Sequence, residues 1–585
     1  MDAVWSDVAV TDDSIVQCLM EIRRALGPAQ DAIETVRGRG YLLNAAVGWG
    51  DEVGAPSAPP PTSASASSDE TSAVDRSEVR SKGAPVHSWA LAAGAFVLIV
   101  SGFLMWRFGI REIPARAPSP AIRSLAVLPF ENLSRDPEQE YFAEGITDDL
   151  ITQFAKISAL RVISRSSVMR FKGTQKPLTQ IARELDVDAL VEGTVVRSAD
   201  RVRVTAQVFL VNPERNVWAD DYDRPLGDLV KLQGALTREI ADAIRVTLTP
   251  QERSRLATAR PVDPDAHEAL LKGRYCWSKR TEEGTRQAIG FFEQAIARDP
   301  TDAMGFVGLS DSYLSLALPE ALAEVLPPSD AFPKARAAAE RALEIDAALG
   351  EAHASLGHVK FQYDRDWRGA EQELKRATEL SPNYGHAFHL HALCLMWMGR
   401  VDEAIVEIRR ARQLDPLLLA IGANYGLILA RAHQYDRAID ECRKTLELDP
   451  AFALAYYRLG QIELLTGRYA DAVPALKRAV SLSGSPRATA ELGLAYALQG
   501  NAPEARRLID DLARRAKERY VSPFDFAVIY GGLGDTEQTL EWLQRAERER
   551  SPSLNYLILS PAFTSVRSDP RFTAFVRHVG LSLPD

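Results

Sequence analysis

The feature that most constrains this chain is a repeat with a period of 34 residues. Small residues in fixed columns allow two antiparallel helices to approach closely, and a proline that ends each unit stops a helix, since it lacks an N–H and clashes with the preceding turn. The spacing therefore predicts a stack of helix pairs. Three columns recur at this spacing: Ala370, Ala404, Ala438 and Ala472; Ala377, Ala411, Thr445 and Ala479; and Pro382, Pro416 and Pro450.

The period and its columns are similar to those of tetratricopeptide (TPR) repeats. We predict an α-solenoid of about eight repeats over residues 265–553, with an insertion between Pro300 and Ala348 and a C-terminal cap at 554–585. Each repeat leaves an apolar face that only its neighbours cover, so the stack becomes a superhelix with a concave groove. The resemblance implies a protein or peptide ligand in that groove. An apolar residue precedes each alanine of the first column: Trp367, Val401, Tyr435 and Tyr469.

Neither a metal site nor a disulfide framework is expected. His386, His389 and His391 are spaced by three and two residues, which does not place all three on one helix face. Three of the cysteines lie at apolar positions of predicted helices, where a buried free thiol is the commoner state. No cofactor is predicted. The four cysteines lie far apart in the sequence: Cys18, Cys276, Cys394 and Cys442.

Residues 122–250 alternate between strand and helix patterns, which predicts a small α/β domain. SLAVLPF and LRVIS are short strands, and helices are expected from Glu140 to Ile157, over LTQIARELDV, and from about Leu226 to Val246. A hairpin is expected to turn at Ser198–Asp200. Its second arm directs alternate residues into the core: Val202, Val204, Ala206, Val208 and Leu210.

This α/β sequence is similar to the TolB-like N-terminal domain, which often lies between a membrane span and helical repeats in bacterial regulators. The similarity covers about 120 residues and implies a non-catalytic structural or interaction role. It rests on SLAVLPFENLSRDPEQEYFAEGITDDLITQFAKISALRVISRSSV and IARELDVDALVEGTVVRSADRVRVTAQ.

No enzymatic activity and no catalytic residue are predicted. Glu144, Asp148 and Asp149 form the densest carboxylate cluster of the α/β domain, but helix-end and solvated carboxylates are far commoner than a general acid/base pair. The sequence contains no glycine-rich phosphate loop, GxSxG elbow or HExxH motif.

A single transmembrane helix is predicted over residues 88–108. WALAAGAFVLIVSGFLMW, from Trp89 to Trp106, is eighteen residues without a charge, which spans most of a ~30 Å hydrocarbon core, with tryptophans at both interfaces. A disordered Pro/Ser/Ala-rich linker, 49–87, precedes it, and a short linker, 109–121, follows. Basic residues flank both ends equally, so charge does not set the topology: Arg76, Arg80 and Lys82 before, Arg107, Arg111 and Arg116 after.

Residues 1–48 carry a helix and a hairpin. TDDSIVQCLMEIRRALGP has a capping residue at its start, one apolar stripe, and Gly27–Pro28 at its end. IETV and YLL are expected to pair as strands around Arg37-Gly38-Arg39-Gly40, because glycine permits positive φ. A helix presenting polar side chains, followed by an arginine-tipped hairpin, is the second half of a winged helix-turn-helix.

The stretch VW-(x)5-VTDDSIVQCLMEIRRALG-(x)6-IETVRGRGYLL resembles the OmpR/PhoB-type effector domain, in the ToxR/CadC-like form that leads into a membrane span. The resemblance implies DNA binding through the recognition helix and through the wing. Its DNA-facing helix positions are Ser14, Gln17, Cys18, Glu21 and Arg24, and its wing contacts are Thr35, Arg37 and Tyr41, with Arg39 beside them at the tip.

This winged helix is only partial. The family domain opens with a sheet, a first helix and most of a second, which would supply most of the core for the apolar stripe. The region is also acidic, so phosphate neutralisation would be weak, and the net charge of −10 argues against a chain-wide nucleic-acid surface. We hypothesise that Met1 lies inside a longer reading frame. An in-frame stop just upstream would contradict this.

These patterns together predict a one-component, membrane-anchored transcriptional regulator of a bacterial inner membrane. The N-terminus would be cytoplasmic, the TolB-like and TPR domains periplasmic, and the DNA-bound winged helices a homodimer. The alternative is a membrane-anchored TPR scaffold with an inert DNA-binding remnant. DNA binding by residues 1–87, with and without an upstream extension, distinguishes the two hypotheses.

Overall fold

The computed structural model forms two compact units, Met1–Ile110 and Arg111–Asp585. The predicted span at 88–108 lies outside the described residues. None of the helices within the described part combines the length and hydropathy that a bilayer crossing needs. The described residues are 33–36, 40–43, 122–134, 136–198, 201–257, 263–318 and 325–581.

The first unit contains the predicted hairpin. Strand β1, Ile33–Val36, pairs antiparallel with β2, Gly40–Leu43. Thr35 lies opposite Tyr41, as the TVRGRGY pattern predicts for the two arms of a hairpin. The recognition helix predicted before it falls outside the described residues.

The second unit begins with a mixed sheet. Its strands are β3 (Ser124–Val127), β4 (Glu131–Asn132), β5 (Arg161–Val162), β6 (Ala189–Ser198), β7 (Arg201–Val211) and β8 (Glu214–Pro225). The order is β5-β3-β6-β7-β8, with β4 also on β6. Strand β3 runs parallel to both β5 and β6, whereas β7 and β8 are antiparallel additions.

Strand β7 confirms the period-2 pattern. Val202, Val204, Ala206 and Val208 are fully buried, while the intervening residues are exposed or half-buried. Strand β8 has no such pattern. Only Tyr222 among its twelve residues is buried, and its polar sequence ERNVWADDYDRP did not predict a strand. Strand β8 forms because it pairs antiparallel with β7 along its length. Local strand propensity does not predict such pairing.

Helices cover the sheet. They are α1 (Glu140–Ala155), α2 (Arg165–Val168), α3 (Leu178–Leu185), α4 (Leu229–Ala243) and α5 (Pro250–Ala257). The helical spacing predicted for α1 is confirmed, because its apolar face is buried against the core: Phe142, Ile146, Leu150, Ile151 and Phe154.

Eight helix pairs follow within the described residues, and we number them repeats 1–8. The predicted helical solenoid is confirmed. The pairs are Pro264–Ser278 with Glu282–Arg298, Ala303–Ala317 with Pro328–Ile345, Gly350–Val359 with Trp367–Leu380, Gly385–Trp397 with Val401–Leu414, Leu419–Arg431 with Tyr435–Leu448, Ala453–Leu465 with Tyr469–Ser483, Pro486–Leu498 with Ala502–Arg515, and Pro523–Gly532 with Thr536–Arg548.

The repeat columns are packing positions, as predicted. The alanines at 370, 404, 438 and 472 have no exposed surface, because the second helix of each pair lies directly on the first. Close approach requires glycine on the facing helix in repeat 6, where a Cβ on Gly460 would lie 2.5 Å from the Leu476 side chain. Side-chain caps start several of these helices, with Asp263, Thr281, Asp302, Asp366, Ser485, Asn501 and Asp535 accepting from first-turn N–H groups.

The sheet domain is joined to the array through polar side chains in the connections between repeats. The amide of Asn383 donates to the carbonyl oxygens of Ala155, Ile157 and Leu160 at 3.2, 3.3 and 2.7 Å. Its oxygen accepts the N–H of Val162 in β5 at 3.3 Å. One array residue thus lies within hydrogen-bond distance of four backbone groups of the sheet domain, and its two amide hydrogens are shared among three carbonyl oxygens.

Asp415, in the next connection, continues this contact. Its carboxylate accepts hydrogen bonds from the hydroxyls of Ser166 and Ser167 in α2. The backbone of Ser164 donates to the Leu414 carbonyl at 2.9 Å, and Leu417 N–H donates to the Ser167 hydroxyl at 2.8 Å. We call the contacts of Asn383 and Asp415 the joint.

Candidate functional site

The residues predicted to contact DNA are only partly described. Thr35 and Tyr41 lie opposite each other on β1 and β2. The others lie outside the described residues, so their DNA contacts stay predictions: Ser14, Gln17, Cys18, Glu21, Arg24, Arg37 and Arg39.

The carboxylate cluster of α1 is paired. Arg165 and Lys172 each contact Glu144, at 2.5 and 2.6 Å. Arg274 of repeat 1 lies 2.7 Å from Asp149. Burial opposes the ionisation of Asp149, but the partners His267 and Arg274 outweigh it and lower its pKa to about 2. A permanently ionised, paired carboxylate fits a structural contact between α1 and the array.

Two of the three clustered histidines, His389 and His391, are buried in the array, whereas His386 is exposed. His389 Nε2 hydrogen-bonds with Asn424 at 3.0 Å, and its ring lies edge-on to His386. Among the described residues no group of three or more His, Cys, Asp or Glu is placed to hold a metal ion. Three cysteines are buried free thiols, as predicted: Cys276, Cys394 and Cys442.

The first helices of repeats 3–8 form a surface that we call the groove. Its most buried polar contact is centred on Arg487. Its guanidinium lies 3.3 Å from Asp525 and 3.2 Å from Glu491. Its Nε donates to the Tyr457 hydroxyl at 3.1 Å. All four side chains are buried, so the ion pairs are protected from solvent screening.

Arg458 extends this network to the preceding repeats. Its Nε donates to the Asn424 carbonyl oxygen at 3.1 Å, and its Nη1 donates to Gln461 at 2.7 Å. Gln461 in turn donates to the Tyr457 hydroxyl at 2.9 Å. The network therefore runs across repeats 5–8 through one to three buried polar side chains per repeat.

Two buried carboxylates of the array, Asp525 in the groove and Glu463 on the first helix of repeat 6, are incompletely paired. Burial raises the pKa of Asp525 to about 6, although Arg487 opposes the shift. Burial also raises the pKa of Glu463. One oxygen of each carboxyl is buried without a hydrogen-bond partner in the described part of the chain. Such orphaned groups are costly unless a ligand pairs with them.

The chain itself occupies the groove. Residues Ser551–Pro561, which we call the internal segment, follow repeat 8. They lie beside the turn after the first helix of repeat 3 and beside the first helices of repeats 4–7. The Tyr556 ring stands edge-on to Trp397 with 4.8 Å between centroids, and its hydroxyl accepts from Arg458 at 3.3 Å. The Arg487 guanidinium lies 5.2 Å from the same ring. A cavity of about 90 Å³ remains beside it, lined in part by Leu454, Tyr457, Arg487 and Tyr556.

The sequence did not predict this occupancy. The stretch 554–585 was expected only to cap the array, and Pro561–Val566 with the helix Pro570–His578 does pack on repeat 8. The polar groove residues were also missed, although they form a column with the period of the array: Asn424, Arg458, Glu491 and Asp525, at spacings of 34, 33 and 34. Period-matched polar residues on an otherwise apolar helix are the signal that could have found them.

Comparison with protein families supports the repeat assignment. The family model described as tetratricopeptide repeat matches residues 426–486 and 467–519, from repeat 5 to the end of repeat 7. The C-terminal region is a tetratricopeptide repeat array.

Two curated relatives match longer stretches. "Putative adenylate cyclase 3" of Rhizobium meliloti (strain 1021) is 36% identical over 294 residues, which are 49% of this chain and 42% of that protein. The transcriptional regulator HilA of Salmonella typhimurium is 21% identical over 428 residues, which are 72% of this chain and 63% of HilA. The chain thus spans less than two thirds of either relative.

Solved structures are similar over about a third of the chain. YrrB, described as a TPR protein with an unusual peptide-binding site, is 20% identical, with 33% of this chain and 92% of YrrB covered and a TM-score of 0.24. Pseudomonas aeruginosa PilF is 19% identical, with 37% and 93% covered and a TM-score of 0.28.

Proposed function

We propose that this chain is a membrane-anchored transcriptional regulator that binds DNA through a winged helix and a protein partner through its TPR array. The winged helix would occupy residues 1–48 of this chain, and the span residues 88–108. The DNA-facing side chains are those of the recognition helix and wing named above. The α/β domain and the array would be the signal-receiving part, on the periplasmic side.

The observation that carries the proposal is the paired hairpin. Its strands bring Thr35 opposite Tyr41, and antiparallel pairing of two such arms is what a wing requires. The sequence Arg37-Gly38-Arg39 between the two strands supplies the basic side chains that a wing would offer to the DNA backbone. The distant similarity to HilA over 72% of this chain, a protein named as a transcriptional regulator, supports the same function.

The test is DNA binding by the purified full chain, with a random-sequence duplex as probe, measured by fluorescence anisotropy at several salt concentrations. Arg37→Ala and Arg24→Ala are expected to weaken binding to all sequences and to reduce the log–log salt slope by about 1 each. Arg80→Ala, in the 49–87 linker, is the matched control and should leave both unchanged. No salt-dependent binding by the wild type would overturn the proposal.

A TPR scaffold with an inert N-terminal remnant is the second candidate. The repeat array and its polar groove favour it, because repeat proteins present such surfaces to protein ligands. It predicts partner binding by the array together with no DNA binding, so the same anisotropy titration separates it from the regulator.

A nucleotide cyclase function is a third candidate, raised by the 36% identical Rhizobium protein. The chain covers only 42% of that protein, so the shared stretch fits a non-catalytic region equally well. Incubation of the full chain with ATP and a divalent cation, followed by measurement of cyclic AMP, tests this directly. Turnover would replace the regulator proposal, and its absence would leave that proposal standing.

A further inference from the structure

We propose that the internal segment Ser551–Pro561 is a ligand of the groove that a partner protein displaces by presenting a peptide of the same kind. That peptide carries a tyrosine flanked by leucine-like residues at the positions of Leu554 and Leu557. The inference rests on the proposal that the array binds a protein partner, and it names the chemistry of that partner.

The apolar contacts define what the groove selects. Leu554 and Leu557 are fully buried among the core residues of repeats 7 and 8. Tyr556 is partly buried against the same cluster, and its ring also contacts Trp397 of repeat 4. A short segment with these three side chains thus bridges helices that are far apart in the sequence.

The polar contacts of the groove are specific for a tyrosine side chain. Its hydroxyl accepts from Arg458, and the guanidinium groups of Arg458 and Arg487 lie 5.9 and 5.2 Å from the ring centroid. Two cations beside one ring select an electron-rich aromatic side chain with a hydroxyl acceptor. Both arginines are held in place by the buried network, so the site is preorganised.

The internal segment is an imperfect occupant. Ser553 and Asn555 are each 1% exposed, and Ser553 Oγ with both polar atoms of the Asn555 amide have no hydrogen-bond partner among the described residues. A buried amide without partners opposes binding. An external peptide with an apolar residue at the Asn555 position would avoid this penalty and compete well.

An external peptide must also compete with a segment that is covalently attached to the same chain. A segment on the same chain acts at an effective concentration of roughly millimolar. The wild-type groove therefore binds a free peptide weakly, and any change that weakens the internal segment exposes the site.

The test uses a fluorescein-labelled synthetic peptide of residues 550–562, titrated into the purified full chain. Tyr556→Ala removes the ring contacts of the internal segment, so this variant should bind the peptide at least about tenfold more tightly than the wild type. Tyr435→Ala is the matched control, since Tyr435 pairs with exposed His433 outside the groove, and it should behave as wild type. The same peptide with alanine at its tyrosine should bind at least about tenfold more weakly.

Two results would overturn the inference. Equal binding to wild type and Tyr556→Ala would mean that the internal segment does not block the groove. No binding to either would mean that the segment is not a ligand. In both cases DNA binding and partner capture by the array remain separately measurable, so the proposed function is not decided by this titration.

If Tyr556→Ala does not fold, amide hydrogen exchange on the wild-type chain decides. Unlabelled peptide at millimolar concentration should accelerate exchange at residues 552–558 and leave the helix Thr536–Arg548 unchanged. Unaltered exchange at 552–558 would contradict displacement.

Discussion

The sheet domain and the internal segment both pack against the TPR array, yet they use polar groups in opposite ways. At the joint, the Asn383 amide lies within hydrogen-bond distance of four backbone groups, and the Asp415 carboxylate accepts two serine hydroxyls. In the groove, the buried amide of Asn555 and one oxygen of Asp525 have no partner within the described residues.

This difference separates a fixed contact from an exchangeable one. A buried polar group without a hydrogen bond costs about 1–3 kcal/mol, so the joint is matched to a single occupant whereas the groove is not. The joint orients the sheet domain on the array. The groove has the mismatch expected of a site whose present occupant gives way to a better one.

The largest expected effect is loss of the groove's central cation. Arg487→Met should lower the free energy of unfolding of the array by about 3–5 kcal/mol, because Glu491 and Asp525 are left buried without their counter-charge. Urea unfolding of the full chain measures it. Arg507→Met is the control, since Arg507 makes an exposed pair with Glu504, and its cost should stay below about 1 kcal/mol. Equal losses of unfolding free energy in Arg487→Met and Arg507→Met would show that the ion pairs of the groove are no stronger than those of the exposed surface.

Next in size is a pH effect from Asp525. Its folded pKa of about 6 lies above the unfolded value near 3.9, so the folded array holds a proton that the unfolded chain has released. Its contribution is therefore fully present below pH ~4 and is lost as pH rises through 6, by at most about 3 kcal/mol. The stability difference between wild type and Asp525→Asn, measured from pH 4 to 7.5, should fall over that window. A stability difference that does not change with pH would show that Arg487 fully offsets the free-energy cost of burying the ionised Asp525 carboxylate.

The smallest effect concerns the joint. Asn383→Ala should cost about 1–3 kcal/mol, because it strips partners from buried backbone groups at the edge of the sheet. The loss should appear as at least tenfold faster amide exchange at Val162. Asn216→Ala, on the exposed strand β8, is the matched control and should leave Val162 unchanged. If Val162 exchange is unaltered in Asn383→Ala, the joint is weaker than its geometry indicates.

The sequence predicted the features of the fold that recur with a fixed period along the chain. The 34-residue columns located the close-packed alanines, and the alternation from Val202 to Leu210 located the inner face of β7. It did not predict β8, whose pairing is set by its neighbour, or the groove network, whose partners come from four repeats. It also could not show that Tyr556 returns to Trp397, since that contact depends on how the whole stack curves.

Hydrogen–deuterium exchange on the full chain tests the comparison most directly, by following the Arg161–Val162 strand and residues 552–558 in one experiment. If the internal segment can leave the groove, its backbone amides should exchange at least tenfold faster than those of the Arg161–Val162 strand, to which Asn383 is hydrogen-bonded. The 550–562 peptide should increase only the segment's rate. Equal protection of the two regions, unchanged by peptide, would contradict the account and identify the internal segment as a permanent part of the array core.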